Sequence, residues 1–122
     1  MSLTKKEARA KIREAVGKPV KFDYPSKFKR RGLLKERVIV WSGWSEESKR
    51  KRVGYWDVVD LIKFPHKGGH RLWIRIGYYR QVGNKLRWAS QTTITEPPHT
   101  MKRIFAQAAK QKKWFRDVLP RT

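Results

Sequence analysis

HRLWIRIGYYR, residues 70–80, alternates strictly: Leu72, Ile74, Ile76 and Tyr78 fall on one side of an extended strand, and Arg71, Trp73, Arg75, Gly77 and Tyr79 on the other. The first row is what a strand lays on a core. The second sets flat rings between guanidinium groups, and such a row suits a partner that is both planar and anionic.

Downstream, NKLRWASQTTIT (84–95) supplies the return strand. A three-residue loop of Gln81, Val82 and Gly83, with glycine in the left-handed position, predicts that residue 79 pairs with 85, 77 with 87, 75 with 89 and 73 with 91. Leu86, Trp88 and Ile94 then join the aliphatic side, while Lys85, Arg87, Gln91 and Thr93 join the arginines. Pro97 and Pro98 next open a helix, where their missing N–H groups cost nothing. Its Met101, Ile104, Phe105, Ala108 and Phe115 recur at helical spacing and should cover the aliphatic side, with Lys102, Arg103, Lys110 and Lys113 outside.

Upstream, Thr4 and Glu7 form a capping-box pattern ahead of Ala8, Ile12, Ala15 and Val16, and Gly17 with Pro19 ends that first helix. Met1, Ser2 and Leu3 are expected to add little. PVKFDYP (19–25) reads as a short strand, LLKERVIVWSG (33–43) as a second and VGYWDVVDLIKF (53–64) as a third. In the third, Asp60 shares parity with Trp56, Val58 and Ile62, which a bulge would explain. SKFKRRG (26–32), WSEESKRKR (44–52) and PHKGG (65–69) read as loops. The predicted architecture is one α+β domain: a five-stranded, mostly antiparallel sheet with an N-terminal helix and a C-terminal helix packed on one face.

The 122 residues carry 31 Lys and Arg against 10 Asp and Glu, a formal charge of +21, which opposes compaction unless an anion relieves it. The aromatic share of 12% is too high for a disordered basic tail. Nucleic acid is the expected partner, ahead of an acidic protein or a membrane surface. No apolar stretch approaches a membrane span or a signal peptide, so a cytoplasmic setting, association with the nucleoid included, is expected of the sequence as it stands. With no cysteine, disulfides and thiolate zinc sites are excluded.

Trp73 and Tyr79 are thus expected to stack on bases of a single strand of DNA or RNA, with Arg71, Arg75, Lys85 and Arg87 meeting phosphates or stacking, and Gly77 leaving room for close approach. Lys29, Arg30 and Arg31 in one loop and Lys49, Arg50, Lys51 and Arg52 in another are expected phosphate contacts, which predicts strong salt dependence. Two other arrangements fit the same residues. The first helix could cover this side, packing Trp73 and Tyr79 beneath Ile12 and Val16, or the side could be a homodimer contact, since Trp, Tyr and Arg are enriched at interface hot spots.

No catalytic residue, metal site or cofactor is expected. Asp57 and Asp60 have opposite parity on a strand, and His66, His70 and His99 lack ligand spacing. A metal-free ribonuclease needs only a base, an acid and cations, roles that His70, Tyr79, Arg75 and Arg87 could fill, and in size and charge the chain looks somewhat like small basic messenger-RNA interferase toxins. Over WIRIGYYRQVGNKLRWASQTTITEPPHTMKRIFAQA (73–108) the order strand, turn, strand, Thr and Pro, then helix resembles the end of the transcriptional positive-coactivator family and its Whirly-like relatives. That resemblance extends over roughly residues 53–110 and lies in the pattern of elements. It implies single-stranded DNA binding on a curved antiparallel sheet, with Trp73, Arg75 and Arg87 on the binding face. The extra strand, the N-terminal helix and the basic loop at 25–32 depart from that family.

Overall fold

In a computed structural model, residues 2–20, 32–48, 51–64, 72–89 and 97–119 are described. The elements are α1 (Lys5–Arg13), β1 (Pro19–Val20), β2 (Gly32–Ser48), β3 (Lys51–Lys63), β4 (Leu72–Val82), β5 (Lys85–Trp88), α2 (Pro98–Gln111) and α3 (Lys113–Arg116). All strands pair antiparallel with their chain neighbours in one five-stranded meander, β1-β2-β3-β4-β5. The fold is therefore α+β, as the sequence predicted. Among the described residues no helix is long and apolar enough to cross a membrane.

Cross-strand partners point to the same side of a sheet, so the register sorts every residue. One face is aliphatic: Val38, Val59 and Ile76 are partners in adjacent strands, and with Val40 they pack against Ile104, Ala108 and Phe115 of α2 and α3. The helical period of the C-terminal segment predicts this lid. The helix is broken at Lys112, whose backbone is extended, and it resumes as α3.

The other face is aromatic. Trp41 pairs with Trp56, Trp56 with Tyr79 and Tyr79 with Trp88; Trp44 lies one pleat beyond and Trp73 three pleats back along β4. These five indoles, of six in the chain, share one side of the sheet. Helix α1 lies on its middle, burying Ala8 and Ile12 against Ile39, Trp56 and Val58.

Three expectations are corrected. WSEESKRKR is strand over its described residues: β2 runs to Ser48 and β3 starts at Lys51, with Glu46 opposite Arg52 in the register. The register shifts in β2, at Leu34/Glu36, Trp41/Gly43 and Glu46/Ser48, whereas β3 pairs with β4 without a break from Gly54 to Lys63. Asp60 therefore faces inward on a regular strand because it is an ion-pair partner. Leu3 is part of the fold, since its N–H donates to the Gly83 carbonyl and its own carbonyl accepts from Gln81 Nε2.

Candidate nucleic-acid interface

The first turn of α1 is fixed locally. Thr4 Oγ1 accepts from the Glu7 N–H and Glu7 Oε1 accepts from the Thr4 N–H, each at 3.1 Å. The hydrogen bonds from the Thr4 backbone and side chain hold the Glu7 carboxyl below its ordinary value. From this anchored helix Arg9 donates through Nη1 to the Ile39 carbonyl at 3.0 Å, with its guanidinium 5.2 Å from the Trp56 ring centre. Lys5 Nζ sits 5.0 Å from the Trp41 ring centre.

Beneath α1 lies a buried ionic cluster. Arg37 donates to both Asp60 oxygens, Nε to Oδ1 at 2.7 Å and Nη2 to Oδ2 at 3.0 Å, while Arg75 Nη2 reaches Oδ2 at 2.9 Å. The Arg37 and Asp60 side chains are 1% and 0% exposed, so desolvation must be offset by geometry. Arg37 also donates to the Ile12 carbonyl and the Tyr79 hydroxyl, both at 2.9 Å. Burial pushes the Arg37 pKa down, but the Asp60 hydrogen bonds and charge, with help from Tyr79, outweigh it and hold the group above its ordinary value. The Arg37 guanidinium faces the Tyr79 and Trp88 rings, and Arg75 stacks 4.6 Å from the Trp88 centre.

Two of the six predicted sheet contacts, Arg75 and Tyr79, thus belong to this internal network. The space at Gly77 is filled as well: a Cβ there would lie 2.3 Å from Trp88 Cη2. Glycine lets the Trp88 indole lie across β4, where close approach by a ligand was expected. The cause is the hairpin. Val82 pairs with Lys85 and Tyr79 with Trp88, so the connection has two residues, Gly83 and Asn84, with Gly83 left-handed at φ 61°. This changes the predicted register from an even to an odd sum and turns every β5 side chain over. Leu86 and Trp88 move to the aromatic face. Lys85 and Arg87 move to the opposite face, where Arg87 lies directly across from Arg80.

Trp73 stands apart from the covered centre. It is 45% exposed, edge-on to Phe64 with ring centres 5.7 Å apart. The alternative in which α1 covers the aromatic side thus holds for Tyr79 and fails for Trp73. The ribonuclease grouping is not assembled: Arg87 lies across the sheet from Arg75 and Tyr79, and Tyr79 Oη already accepts from Arg37. Arg71, His66, His70, Lys29, Arg30, Arg31, Lys49 and Arg50 lie outside the described residues, as do Gln91, Thr93 and Ile94. Lys51 is placed in β3 and Arg52 follows it.

Arg52 leads to a ring in the stretch that the sequence marks as a loop. Its guanidinium lies 4.8 Å from the ring centre of Trp44, which is exposed and packs edge-on to Trp41 at 5.1 Å. Lys5, Trp41, Trp44 and Arg52 therefore form a continuous run, two rings packed together between two cations. Gly54, opposite Trp44, makes this possible, since a Cβ there would meet Trp41 Cη2 at 2.7 Å and Trp44 Cζ3 at 3.0 Å. The signal was present as glycine paired with tryptophan across a hairpin, but it required WSEESKRKR to be read as strand. No family model matches this chain, and neither a curated protein nor a solved structure does.

Proposed function

We propose that this protein binds nucleic acid without catalysing a reaction on it, with single-stranded DNA or RNA preferred over duplex. The observation that carries this is the excess of exposed positive charge over the described residues, against which few carboxylates, Glu14 among them, stand exposed. Asp57 and Asp60 are buried, Glu36 pairs with Lys112 at 2.8 Å, Asp117 pairs with Lys113 at 2.7 Å, and Glu7 is engaged by its cap. Meanwhile Lys6, Lys11, Arg13, Lys18, Lys35, Lys63, Lys85, Arg87, Lys102 and Lys110 are exposed. A surface this cationic favours a polyanion.

The preference for single strands rests on the exposed rings. Trp44 backed by Arg52, and Trp73 at the other end of the same sheet face, offer planes to unpaired bases, whose stacking contributes about 1–3 kcal/mol each. In sequence Lys49, Arg50 and Lys51 directly precede Arg52, Arg71 precedes Leu72, and Lys29, Arg30 and Arg31 precede Gly32; these are the proposed phosphate contacts. Such a protein would work in the cytoplasm or on the nucleoid.

Titration of single-stranded and duplex DNA and RNA at two salt concentrations tests this by tryptophan fluorescence. The expected result is a steep salt slope, tighter binding of single strands, and a weakening of about 5- to 150-fold on Trp44→Ala or Trp73→Ala. Salt-dependent binding indifferent to both changes would reduce the protein to a polycation, and no binding at low salt would end the proposal. A homodimer contact is the second reading, favoured by the exposure of Leu72 and Ile74 on the aliphatic face of β4. Light scattering without nucleic acid separates the two.

A further inference from the structure

The two helices lie on opposite faces of the sheet, yet each sends an arginine to the same strand edge. Arg9 from α1 donates to the Ile39 carbonyl at 3.0 Å, and Arg103 from α2 donates through Nη2 to the Trp41 carbonyl at 2.9 Å. β1 pairs with β2 only at Gly32 and Leu33, so Ile39 and Trp41 lie on a stretch of β2 that no other described strand pairs on that side. Between the two arginines is a cleft of about 190 Å³ lined by Arg9, Ile39, Val40, Trp41, Arg103, Gln107 and Gln111.

The chemistry of that lining is one-sided. It holds two guanidinium groups and two side-chain amides, and no carboxylate. Each guanidinium has five N–H donors, of which the carbonyl contact uses one. Gln111 Nε2 donates to Gln107 Oε1 at 3.3 Å, which leaves the Gln107 amino group as a further donor. In an antiparallel strand a residue's N–H and C=O point to the same side, so the Ile39 N–H faces the cleft beside its carbonyl. The volume is several times the roughly 30 Å³ of a water molecule. A small multivalent acceptor with negative charge fits these donors, and two guanidinium forks suit tetrahedral oxygens better than a halide.

We propose that this cleft at the open edge of β2 is a phosphate site, clamped by Arg9 from one face and Arg103 from the other. The inference stands on the cleft itself and does not require the protein to bind nucleic acid. The phosphate could belong to a strand backbone or be a free ion or terminal ester. The arginine–carbonyl contacts hold the edge closed to strand addition, and the same side chains are thereby placed to receive the anion.

Inorganic phosphate is the first probe, titrated at constant ionic strength against chloride and followed by amide and guanidinium nitrogen NMR. The expected result is saturable shifts at the Ile39 amide and at Arg9 and Arg103 Nε, with affinity at least tenfold weaker in Arg103→Gln and in Gln107→Glu. Gln107 is exposed on α2, so its change to Glu keeps size and helix preference while adding a negative charge to the cleft. Unchanged backbone shifts elsewhere report that both variants fold. Shifts that do not saturate, that are equal at Lys102 and Lys110, or that survive both substitutions would overturn the proposal. An oligonucleotide without terminal phosphates that displaces inorganic phosphate assigns a backbone source, and failure to displace it assigns a free or terminal one. Saturable phosphate binding without oligonucleotide binding keeps this site and removes the functional reading, whereas oligonucleotide binding without it does the reverse.

Discussion

Val59 and Asp60 are consecutive in β3, point to opposite faces and are both fully buried. Val59 meets Val38 and Val40, beneath Ile104 and Ala108 of α2. Asp60 meets two arginines, with Tyr79 and Trp88 closing the cluster. Burial on the aliphatic side is a matter of area and volume, so small errors cost in proportion to the atoms lost. On the aromatic side, burial depends on every charge having its partner, and one missing group strands another in a medium that cannot solvate it.

The sharpest test removes Asp60. Asp60→Ala leaves Arg37 buried without its carboxylate and should destabilise by about 3–5 kcal/mol in chemical denaturation. The contrasting change, Ile104→Val under the other face, should cost about 0.5–1.5 kcal/mol. The double change Arg37→Met, Asp60→Leu should recover most of the first loss, because the fully buried cation leaves together with its carboxylate, while Arg75, whose side chain is 20% exposed, can turn to water. Equal costs for Asp60→Ala and Ile104→Val would erase the distinction between the faces.

Next in size is Gly77→Ala. The new Cβ requires the Trp88 indole to move, at about 1–3 kcal/mol, with a changed tryptophan emission spectrum. Adding Trp88→Leu should make the pair less harmful than the sum of the two changes, and strict additivity would show that the indole is not the obstacle. The cover over this face should respond to its cap: Thr4→Ala is expected to cost about 0.5–2 kcal/mol by thermal denaturation.

The smallest effect is a pH dependence. Because the Glu7 pKa is lowered on folding, its contribution is present above the ordinary value of 4.5 and fades as pH falls through the lower, folded value. Glu7→Gln should flatten the stability profile in that acid range and leave it unchanged near neutrality. A profile of unchanged shape would mean the capping box is not held in solution.

The sequence made much of this legible. Alternation in 72–78, the capping box at Thr4 and the prolines that open α2 all follow from local chemistry, since backbone geometry fixes the periods. The site was legible only in part. A hairpin loop of three residues and one of two both place Gly83 left-handed, yet they send Lys85 and Arg87 to opposite faces. Similarly, Asp60 on an inward row looks like a defect until Arg37, distant in sequence, comes opposite it.

What the chain alone determined is its elements, its aliphatic core and an excess of positive charge, because these depend on side-chain period and count. Only tertiary structure decided which rings stay in solvent. Tyr79 and Trp88 are covered by α1 and engaged by arginines, whereas Trp44 and Trp73 lie towards the two ends of that face and remain exposed. The physical reason is reach: a helix of nine residues spans about 14 Å at 1.5 Å per residue, too short to roof β2 and β3, whose 17 and 13 extended residues rise more than twice as far each.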